Sequence, residues 1–135
     1  MTGYSGTPLA KNLGIKEGFR VRTIGAPKNY LGLVAPLPQN VTISNRSSKD
    51  VDIWHFFTKS RAKLESKVPG LMAAIQPNGV IWIFWPKKSS GVSSSVSEDV
   101  IRDVALPLGL VDIKVCAVDN TWSGLKLVIR KELRQ

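Results

Sequence analysis

Cysteine, histidine and acidic side chains are scarce in this chain, and each scarcity closes off a kind of chemistry. The single Cys116 excludes an internal disulfide and any CxxC metal or redox pair, and fits a reducing compartment. The single His55 means that any histidine general base must be that residue. No paired-carboxylate, zinc-ligand or Ser-His-Asp spacing occurs, so no catalytic residue and no metal site is assigned. Long apolar runs are missing as well. The longest, Val80 to Trp85, falls far short of the ~20 residues that cross a bilayer. The first residues carry no apolar signal core, and a cytoplasmic location is expected.

What is present is an ordinary globular balance, 43% apolar and 21% charged, over 135 residues. That length suits one α/β domain spanning 1–135, with 1–18 as an N-terminal segment and short helix packed on a sheet. Lys and Arg number 19 against 10 Asp and Glu, a formal charge of +9. The excess sits at the two ends: seven bases against two acids in residues 1–50, and four against one in the last ten. Such a surplus either solubilises the surface or favours anionic partners.

Strand and helix patterns alternate. Thr7-Pro8 reads as a helix start, with Thr7 as cap and Pro8 at the first helical position, and Gly14 as its stop. Phe19 to Ile24 alternates as a strand, Tyr30 to Ala35 reads as a short helix, and Asn40 to Ser44 as a brief strand. Val51 to Thr58 is β-branched and aromatic nearly throughout, as in a strand buried on both faces. Ser60 can cap a following helix that Pro69 should kink or restart. Gln76 to Gly79 reads as a turn before the Val80 to Trp85 strand. Ser95-Val96-Ser97-Glu98 has capping-box spacing for a helix that Pro107 and Gly109 close. Val111 to Asp119 and Leu125 to Leu133 form a closing antiparallel hairpin. Alternation of this kind calls for crossovers and a mainly parallel sheet.

Leu13-Gly14-Ile15-Lys16-Glu17-Gly18-Phe19-Arg20-Val21, the strand after it and Gly25 resemble the run into the first strand of class I S-adenosylmethionine-dependent methyltransferases. Residues 51–88, with the Pro77-Asn78-Gly79 turn, and the closing hairpin are similar to that family's central and last strands. The resemblance implies a three-layer Rossmann-like, truncated methyltransferase-like sheet of about six strands, lacking about one strand-helix unit. The family cradles its cofactor with a Gly-x-Gly loop and a carboxylate ending strand two. Here those places read Gly25-Ala26-Pro27-Lys28-Asn29 and Ser44-Asn45-Arg46, so no cofactor is assigned. Gly3-Tyr4-Ser5-Gly6-Thr7-Pro8-Leu9, Trp85-Pro86-Lys87-Lys88 and Cys116 to Leu125 resemble a family of small bacterial cytosolic proteins without an assigned activity.

Ligands of open α/β sheets bind beyond the carboxyl ends of the strands. That rule gathers Gly25 to Lys28, Thr58 to Ser60, Trp85 to Gly91 and Asp119 to Trp122 on one edge. The candidate ligand-binding residues are Gly25, Lys28, Lys59, Ser60, Trp85, Lys87, Lys88, Ser89, Asp119 and Trp122: cations, hydroxyls, a helix N-terminus with free N–H groups, and stacking surfaces. Against this, the tryptophans can simply close the core while the lysines stay solvated. His55 reads as a core histidine, Cys116 as a buried inert thiol, and Asp119 as a turn former. The leading expectation is a non-catalytic domain binding an anionic, phosphate- or nucleotide-bearing ligand or partner at the Lys87 edge. The alternatives are an active methyltransferase with a non-standard cofactor loop, and a basic nucleic-acid-binding module.

Overall fold

The computed structural model describes residues 8–46 and 48–134. Its elements run α1 (Leu9–Asn12), β1 (Arg20–Ile24), α2 (Tyr30–Val34), β2 (Thr42–Ser44), β3 (Val51–Phe57), α3 (Arg61–Ala74), β4 (Ile75–Pro86), α4 (Glu98–Ala105), β5 (Leu110–Ala117) and β6 (Trp122–Ile129). The strands form one sheet in the order β2-β1-β3-β4-β6-β5. β2, β1, β3 and β4 are parallel neighbours, and β6 runs antiparallel to both β4 and β5. This is the expected Rossmann-like sheet with a closing hairpin.

Side-chain alternation explains the two faces. In β3 and β4, Trp54, Phe56, Ile81, Ile83 and Trp85 join Leu64, Val68 and Leu71 of α3 and Ile101 of α4 in one core. The intervening Ile53, Phe57, Trp82 and Phe84 join Ala10 of α1 and Tyr30 and Val34 of α2 in the other. A strand with both sets apolar must be covered on both sides, which is why β3 and β4 occupy the middle of the sheet. Trp82 Nε1–H donates to the Leu13 carbonyl at 3.0 Å, fastening the N-terminal segment to the sheet.

Several local expectations are corrected. Pro8 is the residue before α1, with ψ 140°, not its first helical residue. Thr7 and the rest of the N-terminal motif before Pro8 lie outside the described residues. α3 continues through Pro69. Gln76 to Gly79 lies within β4, where Val51 pairs Ile75 and Ile53 pairs Val80, so four residues bulge out opposite Asp52. The cap of α4 is Ser97, whose hydroxyl accepts from the Val100 N–H, because Ser95 is engaged elsewhere. The second hairpin strand begins at Trp122, since Asp119 closes a tighter turn than expected, and residues 131–133 form a 3-10 turn.

The chain steps from β2 to β3 within residues 45–50, passing β1 with no helix among the described residues. β1 therefore leads away to β2 while β3 leads the other way to β4. The strand order reverses between β1 and β3, and their carboxyl ends open the crevice where such sheets hold ligands.

Candidate functional site

Gly25 ends β1 with φ +69°, a left-handed backbone that suits glycine. A Cβ there would lie 2.5 Å from the Phe57 carbonyl oxygen, so glycine also allows the ends of β1 and β3 to approach. Beside this contact is a crevice of about 650 Å³. Its walls include Gly25 and Pro27 from the loop after β1, Phe57 to Ser60 from the end of β3, Lys63 and Lys67 from α3, and Trp122 from β6.

Three lysines mark the crevice. Lys59, Lys63 and Lys67 recur every four residues, which puts the last two on one stripe of α3. All three are exposed, and no carboxylate pairs with any of them among the described residues. The first turn of α3 contains no acid. Trp122 is half-buried and meets Phe57 edge-on, ring centroids 5.1 Å apart, and Phe57 in turn stacks on Phe84 at 4.4 Å. An aromatic series anchored in the core thus ends in a flat surface beside three cations.

The N-terminus of α3 differs from expectation. Its N–H groups were expected to be free for an anion, but Lys63 N–H donates to Ser60 Oγ (3.2 Å) and Arg61 N–H to Ser95 Oγ (2.9 Å). The Ser60 N–H is taken by Thr58 Oγ1 at 3.1 Å. The serine-rich loop supplies these partners: Ser95 N–H also donates to the Lys59 carbonyl at 2.9 Å. Cationic side chains, more than backbone N–H groups, carry the anion-attracting character here.

The sequence-derived residues divide between two recesses. Gly25, Lys59, Ser60 and Trp122 line the crevice. Trp85 and Lys88 line a separate recess of about 440 Å³ with Ser94 to Glu98. The Lys59–Ser95 hydrogen bond joins a lining residue of each. Trp85 is buried in the α3/α4 core and offers little surface. Lys87 donates its N–H to the Thr121 carbonyl at 2.7 Å, which ties two of the expected loops together, and Lys88 and Ser89 are exposed on the 3-10 turn after it. Lys28 is exposed and lines neither recess. Asp119 Oδ1 accepts from the N–H groups of Thr121 (2.9 Å) and Trp122 (2.8 Å), the turn role. Lys63, Lys67 and Phe57 were not singled out from sequence, although the four-residue lysine spacing was available to find the first two.

A cleft of about 610 Å³ shares Ile24, Gly25 and Lys67 with the crevice and continues over Trp54 beneath Asn45 and Ser48. The buried Trp54 indole N–H has no hydrogen-bond partner among the described residues.

The two residues read as inert differ from each other. His55 is fully buried, its Nδ1 2.6 Å from the Tyr30 hydroxyl, and burial lowers its pKa to about 3. It is neutral and out of substrate reach. Cys116 is half-buried rather than buried, since β5 is an edge strand. Burial raises its thiol pKa, with Lys114 pulling the other way. Among the described residues no cluster of three or more His, Cys, Asp or Glu could hold a metal, and no helix is long and apolar enough to cross a membrane.

No protein-family model and no curated protein sequence matches the chain. Solved structures do match. A S-adenosylmethionine-dependent methyltransferase from Aquifex aeolicus aligns at 15% identity with TM-score 0.59, over 90% of this chain and 87% of that one. A Sulfolobus solfataricus protein described as a type 11 methyltransferase aligns at 10% identity with TM-score 0.65, over 94% and 92%. TrmN from Thermus thermophilus aligns at 11% identity with TM-score 0.62, over 90% of this chain but 47% of its own length. At such identities the likeness shows the fold alone: this chain has a methyltransferase-like, Rossmann-like architecture.

Proposed function

We propose that this chain is a binding domain built on a methyltransferase-like fold, and that it takes a phosphate-bearing ligand, such as a nucleotide, in the β1/β3 crevice. The observation that carries the reading is the set Lys59, Lys63 and Lys67, without carboxylate partners among the described residues, around a crevice that also holds the braced Trp122. Ammonium groups supply charge for phosphate oxygens, and an indole face supplies a stacking surface for a base. The volume lies within the ~300–1,000 Å³ of small-molecule sites. This moves the expected site from the Lys87 loop to the α3 stripe.

S-adenosylmethionine is the group the fold implies, and the residues present do not fit the way that family holds it. The only glycine kept from the cradle, Gly25, has its Cβ direction blocked by the Phe57 carbonyl. Pro27 has no N–H to offer. β2 ends in Ser44-Asn45-Arg46, with the Ser44 hydroxyl accepting from the Arg46 N–H at 3.1 Å and no carboxylate for a ribose. An active methyltransferase is the second reading, favoured by the structural neighbours alone.

Calorimetry at low ionic strength separates the two, with ADP as probe and S-adenosylmethionine alongside. Saturable ADP binding that a Lys63→Gln, Lys67→Gln double variant weakens by about tenfold or more supports the crevice. Silence with ADP, or equal affinity in the variant, rejects it. Heat with S-adenosylmethionine and none with ADP gives the second reading the lead.

A further inference from the structure

A second group of cations stands away from the crevice, on the sheet face that carries α1. Lys114 of β5 and Lys126 of β6 are direct cross-strand partners. Like charges placed opposite one another destabilise a sheet. Lys16, in the turn after α1, joins them: it lines a recess of about 250 Å³ together with Lys126, Asn78, Gly79 and Asp52. No carboxylate forms an ion pair with any of the three lysines among the described residues. Asp52, the one acid in the recess, has Oδ2 occupied by the Arg20 N–H at 2.7 Å. Lys16 and Lys126 therefore share the recess with one carboxylate, and Lys114 adds a third positive charge from across the strand beside Lys126. The crowding registers on Lys126, whose pKa is lowered first by burial and then by Lys114 and Lys16.

A fold gains nothing for itself by gathering unpaired cations, and the cost is offset when an anion neutralises them. We infer that Lys16, Lys114 and Lys126 form a second anion site, which takes the head group of a small phosphate monoester. Size selects the ligand: 250 Å³ is below the ~300–1,000 Å³ of sites that enclose a whole small molecule, so a compact anionic group fits and a nucleotide does not. Asn78, exposed on the β4 bulge, adds a side-chain amide at the rim. The bulge now has a use: it brings Asn78 and Gly79 to a recess that a regular strand would not form.

The site stands independently of the crevice, and its test is read residue by residue. Glycerol 3-phosphate is titrated into the full chain at low ionic strength, and backbone amide shifts are followed by nuclear magnetic resonance. Saturating shifts at Gly79 and Lys126 are expected. Lys126→Gln and Lys114→Gln should each weaken them about tenfold. The crevice variant Lys63→Gln, Lys67→Gln should leave them unchanged. Lys114 is exposed, so Lys114→Gln tests the site without risk to the core. Removal of a like-charge neighbour should leave its melting midpoint at or above that of the parent. No saturation at Gly79 and Lys126, or unchanged affinity in both lysine variants, overturns the inference. Shifts confined to Gly25 and Thr58 also overturn it, and leave the crevice reading intact.

Discussion

Gly25→Ala is the substitution in which fold and candidate site meet, and its cost can be worked from two terms. The first is conformational: at φ +69° an alanine pays about 1–2 kcal/mol for the left-handed region. Reduced freedom of the unfolded chain offsets about 0.4–1 kcal/mol of this. The second is steric. The new Cβ would stand 2.5 Å from the Phe57 carbonyl oxygen, a backbone atom that cannot rotate aside, so β1 and β3 must part. Forced shifts of this kind cost about 1–3 kcal/mol. Gly91 isolates the first term, because its φ is +75° and nothing lies within 4 Å of its Cβ position. Gly91→Ala should therefore cost about 0–1.6 kcal/mol, and Gly25→Ala about 1–4.6 kcal/mol. Urea unfolding reads the difference: the steric term of about 1–3 kcal/mol over a slope of about 1–3 kcal/mol/M puts the Gly25→Ala midpoint below that of Gly91→Ala by about 1 M at mid-range values. Equal midpoints for the two variants would refute the claim that the β1/β3 contact requires glycine.

His55 gives a pH dependence. Its folded pKa of about 3 lies below the ordinary 6.5, so the unfolded chain binds the proton first as pH falls. Its contribution is complete above pH 6.5 and is lost between 6.5 and about 3, at up to about 1.4 kcal/mol per pH unit; urea midpoints for His55→Gln should lack that slope. Ser97→Ala should cost about 1 kcal/mol by uncapping α4, read from the midpoint, whereas Ser95→Ala should increase amide exchange at Arg61, whose partner it removes. Arg102 bonds Glu98, Asp99 and Asp112, and its guanidinium pKa is raised by Glu98 first and Asp112 second. Arg102→Gln should lower the melting midpoint at low salt, and the difference should shrink at about 1 M NaCl.

Local pattern determined a good deal of this protein. Near-continuous β-branched and aromatic residues in 51–57 and 80–85 announced the central strands, because burial on both faces leaves few alternatives to apolar residues. Ser60 announced the start of α3, and the Asp119 turn was legible from the habits of that side chain. Capping was less readable at α4, where two serines two residues apart could both serve. Ser95 is drawn instead to Arg61 and Lys59, 34 and 36 positions away, which no window of sequence displays.

The site divides along the same line. The loop set at the strand ends followed from element order, since a parallel sheet sends alternate connections to one edge. Tertiary structure alone decided that Lys88 and Lys59 serve different recesses, that Lys63 and Lys67 replace Lys28 beside the β1/β3 opening, and that Lys114 stands opposite Lys126. The physical reason is range: propensity and periodicity act over a few residues, whereas strand register and the packing of α3 are settled by contacts between residues far apart in the chain.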